Sequence, residues 1–322
     1  MFRLRIGCDR TWGTRATGRT DSPLPSEARR EETDADQAIR QGVVVTILVT
    51  GGRGHVARAV VDGLLGAGER VRVASRDPEK AVLPDGVETV RADLSDPDTL
   101  PAALAGVTKV FLYADAKGVD GFVAAAEAAG APHTVLLSAL GVEEGDPVTD
   151  PIVRMHRAAE DALRGSRLSW TFLRPGSFAT NTLQWAPAIR ATGTVRAPYP
   201  LAHSASVHEA DIADVAVLAL TAPGHEGKAY PLSGPESVTQ QDQIDCLAKA
   251  TGRPIRLEEI TAEEYRATLS QWGDEEMVDT LVGHLVEADG RPAPVFSTYT
   301  DLTGEQARGY AQWATDHADD FR

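Results

Sequence analysis

Cysteine, long apolar runs and basic charge are scarce in this sequence of 322 residues, and each shortage excludes a class of protein. The two cysteines, Cys8 and Cys246, lie far apart without partners at metal-ligand spacing, which excludes a disulfide framework and suits a reducing cytoplasm. No apolar run approaches the roughly 20 residues of a membrane span. The net charge of -15 argues against nucleic acid and anionic membrane as partners, because both are bound through basic surfaces. The sequence therefore predicts a cytoplasmic globular protein that binds neither.

Residues 1–42 contain few large apolar side chains and no helical or strand period. Such a segment cannot bury enough surface to offset its ordering entropy, so we predict a disordered N-terminal extension. An apolar h-region, which secretion requires, is missing from it, and the acidic run at 31–36 argues against a transit peptide. We also hypothesise that natural translation begins near 43–45, which the intact mass of the native protein would test.

From Val44 onward, short apolar strands alternate with amphipathic helices. Repeated βα units with near-continuous apolar strands are typical of a parallel sheet with helices on both faces. The fold class predicted for residues 43–178 is therefore α/β, with a Rossmann-type, doubly wound parallel sheet. We expect strands at 44–50, 71–74, 87–91, 110–113, 134–138 and 169–173, and helices at 54–67, 97–105, 118–129 and 150–164.

After Pro175 the pattern becomes irregular, and residues 179–322 are predicted to form a mixed, substrate-binding α/β cap with some segments returning to the sheet. Ligands of such folds bind outside the carboxyl ends of the strands, so the cap would roof the site. The expected strands are 205–207, 229–233 and 255–258, and the expected helices are 211–221, 239–250, 261–271, 274–288 and 304–318.

A glycine loop, Gly51-Gly-Arg-Gly-His-Val-Ala57, follows the first strand and fits the pattern G-x-x-G-x-x-A. Glycines permit a tight turn and close approach of phosphate to backbone N–H groups, and the positive end of the following helix favours a pyrophosphate. Its place between a strand and a helix distinguishes this loop from an ordinary tight turn. We expect dinucleotide contacts from Thr50, Gly51, Gly52, Arg53, Gly54, His55 and Val56.

The end of the second strand indicates which dinucleotide is bound. NAD-binding proteins usually place Asp or Glu there to bond the ribose 2′-hydroxyl. Here the residues are Ser75 and Arg76. A guanidinium suits a 2′-phosphate, to which Arg53 would also contribute, so NADPH and NADP⁺ are the predicted cofactors. The alternative is that Arg76 is a solvated surface residue.

The chain resembles the NmrA-like, atypical group of the short-chain dehydrogenase/reductase superfamily from about Val44 to its C-terminus. The resemblance implies that Asp93 and Leu94 lie beside the adenine. It places Tyr113, Ala114 and Asp115 near the nicotinamide ribose, and Pro175, Gly176, Ser177 and Phe178 near the nicotinamide ring. Six segments carry the likeness in order and spacing: 50–57, 71–80, 92–96, 110–113, 170–178 and 211–215.

One departure from the superfamily concerns catalysis. Superfamily reductases typically use a Ser after the fifth strand and a Tyr-x-x-x-Lys pair on the next helix. Ser138 fits the first position, whereas Glu160, taken as the register mark, places His156 at the Lys position and Ile152 at the Tyr position. No Tyr occurs in the expected helix 150–164.

Three hypotheses remain open for the function. The favoured one is an NADPH-dependent reductase of a ketone, quinone or related hydrophobic, polycyclic small molecule. In this mechanism, the close positioning of cofactor and substrate drives hydride transfer. The proton comes from Ser138, His156, Tyr113, water or the substrate itself. A catalytically silent NADP(H)-binding regulator that acts through a protein partner is the main alternative. The third is a non-redox enzyme. His156 could equally do no more than bond the cofactor ribose.

Candidate substrate contacts lie early in the cap, where the same aromatic residues could equally form core. His203 and His208 have no third residue spaced as a metal ligand, so no metal site is predicted. The acidic segment 316–320 is interpreted as a solvated helix face. The sequence leaves open whether the protein is a monomer or a homodimer. The candidate substrate residues are Asn181, Leu183, Trp185 and Tyr199.

Overall fold

Seven parallel strands form the central sheet of the computed structural model, in the order β3-β2-β1-β4-β5-β6-β9. The structure describes residues 46–80, 83–84, 86–113, 116–142, 149–269 and 274–322. The strands are β1 (Thr46–Val49), β2 (Arg70–Ser75), β3 (Glu88–Arg91), β4 (Val107–Tyr113), β5 (His133–Leu137), β6 (Trp170–Pro175), β7 (Thr194–Ala197), β8 (His203–Ser204), β9 (Lys228–Leu232), β10 (Val238–Thr239) and β11 (Arg256–Glu259).

The central strand β1 is apolar at its last three residues because both of its faces are covered. Ile47 and Val49 pack into one core, and Leu48 packs into the core on the opposite face of the sheet. The strand pairs in register with β2, Leu48 facing Arg72, and with β4, Val49 facing Phe111. The glycine loop therefore begins at the middle of the sheet.

Helices α1 (His55–Gly66) and α6 (Glu209–Thr221) pack against each other on one face of the sheet. The other face carries α2 (Leu100–Leu104), α3 (Val119–Ala128) and α4 (Pro151–Arg164). Helix α4 begins sharply because the Asp150 carboxylate accepts the backbone N–H groups of Ile152 and Val153.

The C-terminal part has its own apolar core, centred on Trp313, Ile189, Leu247 and Phe321. Strand β9 nevertheless leaves this part and pairs with β6 at the edge of the main sheet. The remaining helices are α5 (Ala186–Thr192), α7 (Gln240–Thr251), α8 (Ala262–Leu269), α9 (Glu275–Ala288), α10 (Thr298–Thr303) and α11 (Tyr310–Asp316), with 3₁₀ turns at Ala179–Trp185 and Ala318–Phe321.

The predicted α/β fold with a parallel, doubly wound sheet is confirmed, and residues 45–322 form one compact unit. The extension predicted at 1–42 lies outside the described residues. The division into a core at 43–178 and a cap at 179–322 stays a prediction. Among the described residues, no helix has the length and apolar character that a membrane crossing requires.

Two predicted elements are wrong. The helix expected at 304–318 is shorter and begins later. Gly304, whose φ of 76° is left-handed, instead ends the preceding helix α10, and α11 starts only after Gly309 and ends at Asp316. The strand expected at 205–207 is displaced: β8 pairs with β10 at His203–Ser204, and Val207 forms a single bridge with Phe178.

Candidate functional site

A cavity of about 420 Å³ opens at the carboxyl ends of β1, β2, β3 and β4. This is the end of a parallel sheet at which ligands bind, because the loops that follow neighbouring strands converge there. Ten of the predicted cofactor residues line the cavity: Thr50, Gly51, Gly52, Arg53, Gly54, Ser75, Arg76, Asp93, Leu94 and Tyr113.

The glycine loop presents a row of free backbone donors. The N–H groups of residues 52, 53, 55, 56 and 57 donate no hydrogen bond to any backbone or side-chain acceptor in the described part of the chain. The loop itself is closed by the N–H of Gly54, which donates to the Gly51 carbonyl over 2.8 Å. Unpaired donors at the N-terminus of α1 form an anion cradle, which fits a pyrophosphate.

Glycine is required at two positions of this cradle. Gly51 has a φ of +70°, and a Cβ there would lie 3.3 Å from Cβ of Tyr113. At Gly52 a Cβ would lie 2.3 Å from Cγ1 of Val73. The loop thus packs directly on β2 and β4, and a Cβ on either glycine would push it away from the sheet.

Two guanidinium groups border the cavity. Arg53 lies in the glycine loop and Arg76 directly follows β2, and both are exposed. Neither lies within ion-pair distance of a carboxylate among the described residues, although the charge of Arg76 helps to lower the pKa of Asp93 from a longer distance. Their positive charge therefore remains available to an anion in the cavity, as a 2′-phosphate would require.

The loop after β3 is fixed by its own hydrogen bonds. The backbone N–H and the hydroxyl of Ser95 both donate to Oδ1 of Asp93, and these bonds lower the pKa of that carboxyl. The N-terminus of α3 approaches this loop closely, because a Cβ on Gly118 would lie 2.4 Å from the Leu94 carbonyl oxygen. A rigid loop here gives an adenine a defined edge to contact.

Thr50 connects the ends of β1 and β4. Its hydroxyl donates to the Phe111 carbonyl over 3.2 Å and accepts the Tyr113 backbone N–H over 2.8 Å. The half-exposed Tyr113 ring lies over Gly51, and partial burial raises the pKa of its phenol. Its hydroxyl makes no hydrogen bond to the described residues. Ala114 and Asp115, predicted beside it, lie outside the described residues.

Ser138 lies at the end of β5, and its hydroxyl donates to Oε1 of Glu160 over 2.6 Å. Glu160 is fully buried and also accepts a bidentate pair of bonds from Arg174. Because the Ser138 proton is used in this network, the arrangement presents no hydroxyl proton to a substrate. The catalytic role of Ser138 stays a prediction, and its observed contact ties β5 to α4.

His156 is half-buried on α4, the helix that Glu160 anchors. Its Nδ1 lies 2.8 Å from the Ile152 carbonyl oxygen, which can only accept. The neutral ring therefore carries its proton on Nδ1 and a lone pair on Nε2. Such a ring can accept a bond from a ribose hydroxyl, and it can donate from Nε2 only when protonated.

Residues 175–178, predicted near the nicotinamide ring, do not line the 420 Å³ cavity. Pro175 ends β6, and the N–H of Gly176 donates to the Leu232 carbonyl of β9. The Ser177 carbonyl accepts the Val207 N–H, which aligns this segment with the start of α6. The segment is exposed at Ser177, and its contact with a cofactor stays a prediction.

The four predicted substrate residues do not share one environment. Trp185 is buried and Leu183 half-buried in the C-terminal core, a placement that packing alone explains. Asn181 is exposed, and Tyr199 adopts a φ of 56° in an open depression beside Ile260. Substrate contact by all four stays a prediction.

Sequence reasoning missed the apolar floor of the cavity and the close approach of Gly118. Most floor side chains are small or branched, one is the aromatic ring of Phe122, and they come from or directly follow elements assigned only to the core. Alanines at the ends of β2 and β3 were the available signal, because small residues leave room for a flat ring. The floor consists of Leu48, Ala74, Ala92, Leu100, Ala103, Leu104 and Phe122.

Comparison with known proteins gives one family and several full-length relatives. The family model described as NAD(P)H-binding matches residues 51–223. A (4-alkanoyl-5-oxo-2,5-dihydrofuran-3-yl)methyl phosphate reductase of Streptomyces griseus is 42% identical over 280 residues, which span 85% of this chain and 99% of the relative. An NAD(P)H azoreductase of Xenophilus azovorans is 35% identical over 284 residues, spanning 85% of this chain and 99% of the relative.

A solved structure agrees with these relatives. The NADPH-dependent quinone oxidoreductase of Escherichia coli, complexed with NADPH, superposes with a TM-score of 0.70 at 26% sequence identity. The match covers 84% of this chain and 99% of that one. The resemblance stated from the sequence is confirmed by these matches.

Proposed function

The chain belongs to the NAD(P)H-binding family and is an oxidoreductase of the NmrA-like, atypical short-chain dehydrogenase/reductase type, and on this premise we propose that it is an NADPH-dependent reductase of electron-poor, conjugated small molecules. The observation that carries the cofactor choice is Arg76. It borders the cavity without a carboxylate at ion-pair distance among the described residues, where an NAD-binding site usually has an acidic side chain. We assign the 2′-phosphate to Arg76 and Arg53.

The remaining contacts follow from the cavity. The free N–H groups at 52, 53 and 55–57 would hold the pyrophosphate, and the Asp93–Leu94 loop would flank the adenine. His156, with its Nε2 lone pair, would bond the nicotinamide ribose. When bound, the reduced nicotinamide supplies the hydride for the reaction.

The substrate class is supported by what the relatives have in common. Their names specify a quinone, an azo compound and an unsaturated lactone with an acyl substituent, all of which are conjugated acceptors. A conjugated acceptor spreads the negative charge left by hydride addition, so it depends less on a strong proton donor than an isolated ketone does. This chemistry suits a chain that lacks Tyr in helix α4.

A proton must still reach the reduced substrate. We propose the Tyr113 hydroxyl as its donor, because the phenol is protonated at neutral pH and is not bonded to another described residue. Ser138 then acts indirectly: its bond to Glu160 positions α4 and with it His156. Water at the exposed Tyr113 ring would restore the phenol proton.

Deuterium transfer tests the proposal directly. NADPH labelled with deuterium at C4 would be incubated with a quinone, an azo dye, an acyl-substituted unsaturated lactone and an isolated aryl ketone, and the reduced products quantified by mass spectrometry. Retained deuterium is sought only in the lactone and ketone products, because deuterium on a hydroquinone oxygen or a hydrazine nitrogen exchanges with water. We expect reduction of the conjugated acceptors, carbon-bound label in the lactone product and about 10-fold less product from the isolated ketone. Reduction of the isolated ketone alone would refute the substrate class, and no reduced product from folded, NADPH-binding protein would favour the silent regulator.

A further inference from the structure

A cluster of histidines and carboxylates joins the end of the chain to the first residue of helix α1. It lies beside the anion cradle and is not used in the proposed catalytic roles. Three elements contribute to it: α1, the start of α6, and the C-terminal segment from α11 onward. The cluster consists of His55, His208, Glu209, Trp313, Asp316, His317 and Asp320.

His317 is the charged member of this cluster. Its Nε2 donates to Oε1 of Glu209 over 2.6 Å, and its Nδ1 donates to Oδ2 of Asp320 over 2.9 Å. Carboxylates only accept hydrogen bonds, so both ring nitrogens carry protons and the ring is an imidazolium. The bond to Glu209 raises the pKa of His317, which favours the same state.

The imidazolium has a fixed orientation. Its ring stacks on the indole of Trp313, with centroids 4.6 Å apart. The Trp313 indole N–H donates to Oε2 of Glu209, so one buried carboxylate holds both rings. A ring constrained by two carboxylates and an indole face cannot rotate away without losing three contacts.

His208 differs from His317 although the two rings lie 6.4 Å apart. The backbone N–H of Ala210 donates to Nδ1 of His208, which also lies 3.4 Å from Oε2 of Glu209, so this nitrogen acts as an acceptor. Its Nε2–H is then directed to Asp316 at 3.3 Å. Of the two rings, His317 is the one whose nitrogens both donate to carboxylates.

His55 is the residue of the anion cradle that lies next to the charged His317 ring. Its ring meets that of His317 edge to face, with centroids 6.2 Å apart. His55 is exposed and is the first residue of α1, and its own backbone N–H is one of the unpaired donors. A cation at this distance adds to the positive end of the helix, to which an anion binds.

We propose that His317 is a positioning residue of the dinucleotide site, which orients the His55 ring beside the pyrophosphate and adds positive charge to the cradle. The C-terminal segment is thereby part of the cofactor site. This inference rests on the proposed function, because it requires the pyrophosphate in the glycine loop.

The test compares NADPH affinity of the full-length wild type and His317→Gln as a function of pH, by NADPH fluorescence. The groups that face His317 are Glu209, Asp320, His55 and His208, and all are kept in this variant. At about pH 6.5 we expect Kd for NADPH to rise about 5- to 20-fold in the variant. Above the raised pKa of His317 the wild type loses its own charge, so the difference should shrink to less than about 2-fold.

His225→Gln is the matched control. His225 is another partly buried histidine, bonded to Tyr230 at the start of β9, where the amino ends of the strands lie. We expect its Kd to equal that of the wild type at every pH. Asp320→Asn is a milder variant at an exposed carboxylate, and it should shift the fall in affinity to lower pH, because one of the two acceptors has lost its charge.

Three results would overturn the inference. Equal Kd for wild type and His317→Gln at all pH values would exclude any role in binding. A loss of affinity that is constant across pH and accompanied by a lower melting temperature would show a purely structural role. An unchanged pH profile in Asp320→Asn would show that the pH dependence of binding does not come from the charge of His317. Failure of the wild type itself to bind NADPH would instead refute the proposed function.

Discussion

Ser138 and Glu160 are joined by a hydrogen bond of 2.6 Å between two buried side chains, one at the end of β5 and one on α4. Glu160 is also the acceptor for Arg174 and Arg164. Ser138, predicted to be catalytic from its position after the fifth strand, thus makes a structural contact. This contact helps to hold α4, the helix that carries His156.

Replacing Ser138 should therefore affect stability more than turnover. In Ser138→Ala the buried Glu160 loses one donor, and we expect a fall in the free energy of unfolding of about 1–3 kcal/mol. At saturating substrate, kcat should fall less than about 10-fold. Urea denaturation and steady-state kinetics measure the two effects. Ser166→Ala, which removes a hydroxyl bonded to the Leu163 carbonyl on the same helix, is the control. A loss of kcat above about 100-fold at unchanged stability would make Ser138 a direct donor.

Arg76 should discriminate between the two dinucleotides. Arg76→Ala removes the proposed charged partner of the 2′-phosphate, and we expect Kd for NADPH to rise about 10- to 100-fold while Kd for NADH changes less than about 3-fold. Isothermal titration with both cofactors measures this. Arg91→Ala is the control, since Arg91 ends the neighbouring strand β3 and is exposed, yet does not belong to the cavity lining. Equal losses for NADPH and NADH would contradict the cofactor assignment.

Gly54 borders the anion cradle at the N-terminus of α1. A Cβ there would meet only the Gly51 carbonyl oxygen, at 3.4 Å, so a branched side chain would fit the fold but project into the space of the pyrophosphate. Gly54→Val should abolish dinucleotide binding, with a change in unfolding free energy of no more than about 1–2 kcal/mol. Gly66→Ala, at the other end of α1, should leave binding unchanged, because a Cβ there meets nothing within 4 Å. Retained binding in Gly54→Val would refute the role of the loop.

Tyr113 is the proposed proton donor, and Tyr113→Phe keeps the ring over Gly51 while removing the hydroxyl. We expect kcat for a conjugated acceptor to fall about 10- to 100-fold, with Kd for NADPH within about 3-fold of the wild type. Stopped-flow oxidation of NADPH separates hydride transfer from later steps. If kcat were unaffected at every pH, water would be the donor.

The bond between Glu209 and His317 makes stability depend on pH in both directions. Burial is the largest single influence on the pKa of Glu209 and acts to raise it. The hydrogen bond from His317, the Glu209 backbone N–H and the nearby positive charge together outweigh burial, so this pKa lies below 4.5. The pKa of His317 lies above 6.5, chiefly because of its bond to Glu209. The stabilisation is complete between these values. It is lost as pH falls through the lowered pKa of Glu209 and as pH rises through the raised pKa of His317.

Glu209→Gln should therefore reduce the free energy of unfolding by about 1–3 kcal/mol near pH 5.5, and by clearly less near pH 9. Urea titrations of both proteins at the two pH values give the difference. A constant difference would show that packing of Trp313, and not the charge pair, connects Glu209 to the C-terminal segment.

The parts of the site that were predictable from the sequence are local. The glycine loop combines residue types that only a βα phosphate turn requires, and apolar runs such as Ile47 to Val49 are buried because helices cover both faces. Contacts between distant residues have no such signature. Glu160 lies 22 residues from Ser138, and only the packed sheet brings them together.

The structure of the C-terminal segment was also only partly predictable from the sequence. Its apolar residues, including Tyr310 and Trp313, follow a helical period, whereas the left-handed Gly304 ends one helix before the next begins. The acidic segment at 316–320, interpreted as a solvated face, is only partly so: Asp316 and Asp320 accept bonds from His208 and His317. Their partners come from other elements, and periodicity in one helix carries no information about them.

Strand β9 pairs with β6, yet 52 residues lie between Pro175 and Lys228, and they include both the predicted substrate contacts and helix α6. The predicted substrate contacts thus lie in a loop excursion between two neighbouring strands of one sheet. A chimera cut at 178 would strip α6 from one face of the sheet and β9 from its edge. A chimera that tests the predicted substrate contacts would instead graft residues 179–206 and leave α6 and β9 in place.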